Sequence, residues 1–339
     1  MFSGVDKSRL LADTLAMTTS TISYSAPGKI IISGEHSAVH GKAAIASAVN
    51  LRLVFSVEPS QKPDLSNPAI ETVSIIDRIV QQYLTNHGIE FKVKPYHFAI
   101  ESTIPVGQGF GSSAALSAAA SAALVELYTG KTVEDFGLST LNEIAYTCEE
   151  HFHGTPSGID NTAAVFGGLI FFRKEFQFLK TIHRLPFSIP TDIASQLLLI
   201  HSGDRRETTK EMVDHVHQLN EREPATTKKT LHDLDRTTKQ IVQALHDDQP
   251  ELLKVNVRRN HNQLVKLGVV SDKTQKLIRQ LQDFGEAKIT GSGGIEAGSG
   301  FILMYIHPGK EKKLKRLLDS QAMLYLPFEA SQQGVVKES

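Results

Sequence analysis

A lysine, a glycine run closing on two hydroxyls, and a few isolated carboxylates are the residues of this chain whose types and spacing could do chemistry. Lys29 follows a Pro27-Gly28 pair, and Gly34-Glu35-His36 comes just after it. From Ile104 to Tyr128 the sequence reads IPVGQGFGSSAALSAAASAALVELY, with Gly107, Gly109 and Gly111 at alternate positions and Ser112 and Ser113 directly behind them. Glu149 stands eleven residues before Asp160, which the turn HGTPSGIDN delivers. Glycines at this spacing admit backbone angles that a Cβ forbids. A glycine loop that opens a helix aims free N–H groups and the positive end of the helix dipole at one spot. That spot suits an anion, a phosphate above all. With a lysine to neutralise charge and carboxylates to hold a magnesium and orient a hydroxyl, the inventory suits phosphoryl transfer from a nucleotide. Composition does not choose the acceptor.

Each piece also has a plainer reading. A lysine after a turn is ordinarily solvated, a Glu-His pair in a loop is ordinarily surface, and an Asp in a turn ordinarily caps it. Small alanines let a helix pack closely against a sheet. The loop is not a Walker A loop, because no Gly-Lys-Ser or Gly-Lys-Thr closes it, and its G-x-G-x-G spacing is not the dinucleotide fingerprint. His151 and His153, at i, i+2, do not form a metal-ligand set without further partners.

The elements that must position these residues can be outlined from periodicity and turn chemistry. Strands are expected on each side of a Pro27-Gly28 turn in residues 21–33, then one or two strands over 43–57. A helix is expected over 70–86 and a strand over 91–104, which feeds the glycine loop. The Ala-rich helix runs to about residue 129, where Gly130 ends it. One further helix is expected over 133–151, with Leu141, Ile144 and Ala145 on one face, and a mostly apolar segment over 163–172. The chain loses its glycine signals around 176–192, and a domain boundary is placed there, giving residues 20–185 and 186–335. Beyond it come a buried strand at 197–202, helices over 210–220, 226–246, 251–267 and 272–284, a strand–glycine turn–strand at 287–306, a basic-faced helix at 310–321 and a last strand. Residues 1–20 read as a short helix or an arm.

The chain has 339 residues, 40% of them hydrophobic and 22% charged, with a net charge of −1, which fits a globular protein and points to neither nucleic acid nor an acidic membrane surface. The single cysteine, Cys148, rules out an internal disulfide and fits a reducing, cytoplasmic setting. No apolar run approaches the roughly 20 residues that span a bilayer, and the first residues do not read as a secretory signal.

PVGQGFGSSAA resembles the ATP-binding loop of the GHMP small-molecule kinases, among them galactokinase, homoserine kinase, mevalonate kinase and phosphomevalonate kinase. APGKIIISGEHSAVHGKAAIASAVNLR is closer to the mevalonate kinase branch; galactokinases carry a different continuation after Gly-Glu-His. HGTPSGIDN, RRETTKEMV, NHNQLVKLGV and AKITGSGG follow in the same order, over about residues 22–306. The resemblance implies an α+β, two-domain fold, with a ribosomal-protein-S5-like N-terminal domain and a ferredoxin-like C-terminal domain. It implies that Gly107, Gly109, Gly111, Ser112 and Ser113 wrap the phosphates of ATP, and that Ser113 and Glu149 hold Mg2+. It makes Asp160 the catalytic carboxylate and Lys29 its cationic partner, and it puts Glu35, His36 and Thr209 on the acceptor side. It further implies mevalonate as the acceptor, with a kinase on phosphomevalonate, another small alcohol or a sugar, or a silent ligand sensor, as rivals. A homodimer is the family expectation. One stretch departs from the family pattern: after Gly294 come Ile295-Glu296-Ala297-Gly298-Ser299-Gly300, a longer turn that gains a carboxylate, which should repel phosphates unless Glu296 points away.

Overall fold

The computed structural model describes residues 21–62, 67–154, 156–176 and 179–338; the expected arm at 1–20 lies outside these. The chain opens with two long strands, β1 (Ile22–Ser33) and β2 (Ala43–Pro59), paired antiparallel throughout. The expected turn at Pro27-Gly28 is instead a register shift inside one continuous strand. Beyond that bulge the Lys29 N–H donates to the Phe110 carbonyl (2.8 Å), so the irregularity ties β1 to the glycine loop. Helix α1 (Ile70–Asn86) buries Val73, Ile76, Val80 and Leu84, one face at helical spacing. Strand β3 (Tyr96–Ser102) is shorter than expected; the chain before it carries Lys92, Lys94 and Pro95, and Pro95 has no N–H to give a ladder.

Helix α2 (Ser112–Thr129) is buried on nearly every side, lying on β1 and β2 and flanked by α1 and by helices that follow it. Its alanines are what permit that: a bulkier run would hold the sheet and neighbouring helices apart. The single helix expected next is two, α3 (Val133–Phe136) and α4 (Leu138–His153), because Gly137 adopts φ 94° between them. The segment expected as apolar chain is α5 (Ile159–Phe166) followed by β4 (Leu169–Phe176), and β5 (Leu179–Arg184) completes the hairpin. The second half comprises α6 (Thr191–Ala194), β6 (Leu197–His201), α7 (Thr209–Arg222), α8 (Pro224–His246), α9 (Pro250–Lys266), α10 (Asp272–Leu281), β7 (Gly285–Ile289), β8 (Phe301–Ile306), α11 (Glu311–Ser320) and β9 (Tyr325–Pro327). A last strand, β10 (Val336–Lys337), returns to the first sheet.

The first sheet therefore runs β10-β1-β2-β4-β5, with β3 also on β2, and the second runs β7-β8-β6-β9; every pair is antiparallel. Helices cover these sheets in an α+β arrangement of two domains. The seam between them has an apolar part, where Phe110 meets Phe301 edge-on with ring centroids 4.9 Å apart, and is pinned by specific polar contacts. The Ile31 N–H donates to Thr290 Oγ1 (3.0 Å) and the same hydroxyl donates to the Ile31 carbonyl (2.9 Å). Ser33 Oγ meets Thr238 Oγ1 (2.7 Å) and Asn260 Nδ2 (2.5 Å). The carboxyl-terminal end of β1 is thus stitched into the second half from three separate elements.

Candidate functional site

Gly111, at φ 73°, is the N-cap of α2, and no side chain caps that helix start. The left-handed conformation suits glycine, and a Cβ there would stand 3.2 Å from Lys29 Cγ and 3.8 Å from Asp160 Oδ2. The first helical N–H to be used inside the helix is that of Ala115, which donates to the Gly111 carbonyl (3.0 Å). The N–H groups of Ser112, Ser113 and Ala114 therefore face outward at the positive end of the dipole. Lys29 Nζ lies 3.4 Å from Asp160 Oδ2 and donates to the Gly109 carbonyl at 3.1 Å. The lysine is buried while the aspartate keeps an exposed edge, so the pair presents a carboxylate to the outside with its cation behind it. Asp160 sits in the first turn of α5, started by Gly158. Lys180 fixes the turn before it by donating to Tyr146 Oη and to the Pro156 carbonyl, both at 2.9 Å.

Glu149 projects from α4 toward α2. Its Oε2 accepts from Ser113 Oγ (3.1 Å) and its Oε1 from Ser117 Oγ (3.3 Å), and His153 Nε2 stands 3.1 Å from the same Ser113 oxygen. Burial, with the nearby Asp160 charge second, pushes the Glu149 carboxyl up to about 7. A serine oxygen and a carboxylate oxygen side by side are hard donors. They fit Mg2+, which keeps waters and takes phosphate oxygens for its remaining positions.

Glu35 and His36 follow the end of β1, the strand that carries Lys29. Glu35 is buried in an ion pair with Lys288 of β7; burial raises the Glu35 carboxyl and lowers the Lys288 ammonium. His36 adopts φ 59° and is buried, and its Nε2–H donates to the Ser292 carbonyl at 2.8 Å. Burial lowers the imidazole to about 4, so it is neutral, and its Nδ1 is an unpartnered acceptor among the described residues. Arg205 reaches from the second half to Ser292 Oγ and to the Gly107 carbonyl (3.4 Å), and Asp204 accepts from Gln108 Nε2 (2.9 Å). The glycine loop is thus gripped by Asp204 and Arg205, just after β6.

Lys29, Gly107, Gly109, Gly111, Ser112, Ser113, Glu149 and Asp160 thus converge on the start of α2, and Glu35 and His36 flank them. Thr209 does not join the group: it is exposed at the first position of α7, and its side chain makes no hydrogen bond among the described residues. Its neighbour Thr208 caps that helix, accepting from the Glu211 N–H at 3.2 Å. Sequence reasoning missed Lys288 and Ser292. Lys288 is one of two charged residues, with Glu286, in a strand whose residues are all buried, a signal that it needed a buried partner.

An N–H-lined loop at a helix start, a Lys–Asp pair and a hydroxyl–carboxylate couple, held between these two sheets, define a small-molecule kinase of the GHMP class. Residues 74–168 match the GHMP kinases N terminal domain family. The chain is 32% identical to the mevalonate kinase of Archaeoglobus fulgidus over 273 residues, covering 80% of this chain and 88% of that protein. The chain belongs to the mevalonate kinase family. Solved structures agree on the fold. The Methanococcus jannaschii mevalonate kinase superposes with a TM-score of 0.73 at 20% identity, covering 92% of this chain and 99% of that one. The L. major mevalonate kinase in complex with R-mevalonate superposes with a TM-score of 0.69 at 22% identity, covering 91% and 96%.

Proposed function

We propose that this enzyme transfers the γ-phosphoryl group of ATP to the terminal hydroxyl of mevalonate, giving 5-phosphomevalonate and ADP. The observation that carries the reading is the Lys29–Asp160 pair set against the uncapped start of α2. The outward N–H groups of Ser112 and Ser113 hold phosphate oxygens, and Lys29 neutralises charge as the β–γ bridge breaks. Asp160 orients the acceptor hydroxyl and takes its proton, early or late, since a loose transition state demands little prior deprotonation. Ser113 and Glu149 hold Mg2+, which when bound neutralises the phosphate oxygens. On the acceptor side, His36 Nδ1 is a buried acceptor suited to a substrate hydroxyl, and Arg205 is a guanidinium suited to the substrate carboxylate. The homodimer expected of the family and the cytoplasmic setting that the single cysteine fits belong to the same proposal. No described helix is long and apolar enough to cross a membrane.

The test is ADP release with Mg2+–ATP against mevalonate, phosphomevalonate, galactose, homoserine and no acceptor. Release with mevalonate alone supports the reading. Release with a different acceptor keeps the phosphoryl chemistry and overturns the substrate, and release with none of them overturns the enzyme.

A further inference from the structure

Residues 295–300 depart from the family pattern, and the structure shows what holds them. Glu207, on the turn between β6 and α7, accepts through one oxygen from two successive backbone N–H groups, those of Ile295 (2.9 Å) and Glu296 (2.7 Å). Paired N–H groups of this kind form an anion-binding concavity, and here the anion is the protein's own carboxylate. The second Glu207 oxygen is buried without a partner among the described residues, near Gly294, where a Cβ would come within 3.1 Å of it. The added carboxylate of Glu296 turns outward, 3.6 Å from the Arg206 guanidinium, and is largely exposed. Arg205 binds Ser292 Oγ, and the Ser292 carbonyl accepts from His36. Three consecutive residues, Arg205, Arg206 and Glu207, thus grip one loop at three points, and that loop anchors His36. Burial works to raise the Glu207 carboxyl, but backbone N–H groups of the turn and the loop outweigh it and hold the group below its ordinary value.

We propose that Glu207 is a positioning residue for the acceptor half of the site: by filling the N–H pair of Ile295 and Glu296 it fixes the lengthened loop, and through Ser292 it sets His36 and Arg205. This rests on the acceptor assignment above. Glu207 itself touches neither the glycine loop nor the Lys29–Asp160 pair, and its one route to the glycine loop is the long 3.4 Å contact of Arg205 with the Gly107 carbonyl, so its loss should act mainly on the acceptor. Glu207→Ala is expected to raise the KM for mevalonate about 10-fold, as for loss of hydrogen bonds to a charged group, and to leave the KM for ATP unchanged within about 2-fold. Glu207→Gln, whose carbonyl can accept both N–H groups, is expected to recover most of the loss. Formate at tens of millimolar, refilling the emptied N–H pair, is expected to lower the mevalonate KM of Glu207→Ala but not of the wild type. An unchanged mevalonate KM in Glu207→Ala overturns the proposal. So does an equal rise in both KM values with no response to formate, which would make Glu207 a fold-stabilising residue only. Amide hydrogen exchange at Ile295 and Glu296 separates this from a wrong acceptor. Exchange must accelerate in Glu207→Ala even if the wild type turns over another substrate, and unchanged exchange overturns the proposal by itself.

Discussion

Asp160 and Lys29 are close enough that each defines the other's surroundings, and their separate contributions can be read by isosteric change. Asp160→Asn keeps the shape beside Gly111 but removes the proton acceptor and the charge. It is expected to lower kcat by about 10²–10⁴-fold, the range for a lost general base, with the protein still folded. A kcat near wild type would remove Asp160 from the chemistry. His36 makes a prediction about stability instead. Its imidazole titrates near 4 in the fold and near 6.5 when unfolded, so the unfolded chain takes up the proton first as pH falls. Stability is whole above pH 6.5 and is lost progressively down to pH 4, about 2 kcal/mol of it by pH 5. Urea midpoints at pH 7 and 5 should show this in the wild type and show less of it in His36→Asn, since asparagine tolerates the positive φ. The glycines, the serines, Lys29 and Asp160 were legible in sequence because the loop, the turn and the family motifs carry them in order. Lys288 and Ser292 were not, because their importance is conferred by Glu35 and His36, more than 250 residues earlier in the chain. Glu296, whose charge looked troublesome at the phosphates, is harmless for a reason only the fold supplies: Arg206 holds it on the outside.

At the scale of elements, the start of α2 concentrates the demand on backbone conformation. Gly107 and Gly111 share φ 73°, but a Cβ at Gly107 would meet open space while one at Gly111 would press on Lys29. Alanine at either position carries the strain of a left-handed residue, about 1–2 kcal/mol. Only Gly111→Ala is expected to displace the lysine and to reduce kcat, by about 10²-fold for a shift approaching 1 Å. Comparable kcat values in the two variants would show that Lys29 tolerates the push. Helix positions were the most readable elements, since α1, α2 and α8 carry long periodic or Ala-rich runs. Readings failed where a single residue overrode the pattern: Gly137 split a helix, Gly28 bent a strand without ending it, and Pro95 shortened β3.

Over the whole molecule, the two sheets are joined by contacts that leave little freedom at the seam. The Glu35–Lys288 pair is the most consequential, because both charges are out of water. Lys288→Met leaves Glu35 buried without its cation, and a cost of about 3–5 kcal/mol is expected. Adding Glu35→Gln should restore most of it, so denaturant midpoints of the two single variants and the double variant measure the coupling. Additive losses would show that the pair is not coupled. None of this seam was legible beforehand, since hydroxyls such as Ser33, Thr238 and Thr290 carry no pattern until folding makes them neighbours. The return of β10 to β1 has a consequence for biosynthesis. The edge of the first sheet is completed by residues that leave the ribosome after the entire second sheet and its helices. During translation Tyr24 and Ser25 of β1 must therefore wait without their partners on that edge. A product that ends before residue 336 would leave that part of the edge open even though every residue of the candidate site has already been made.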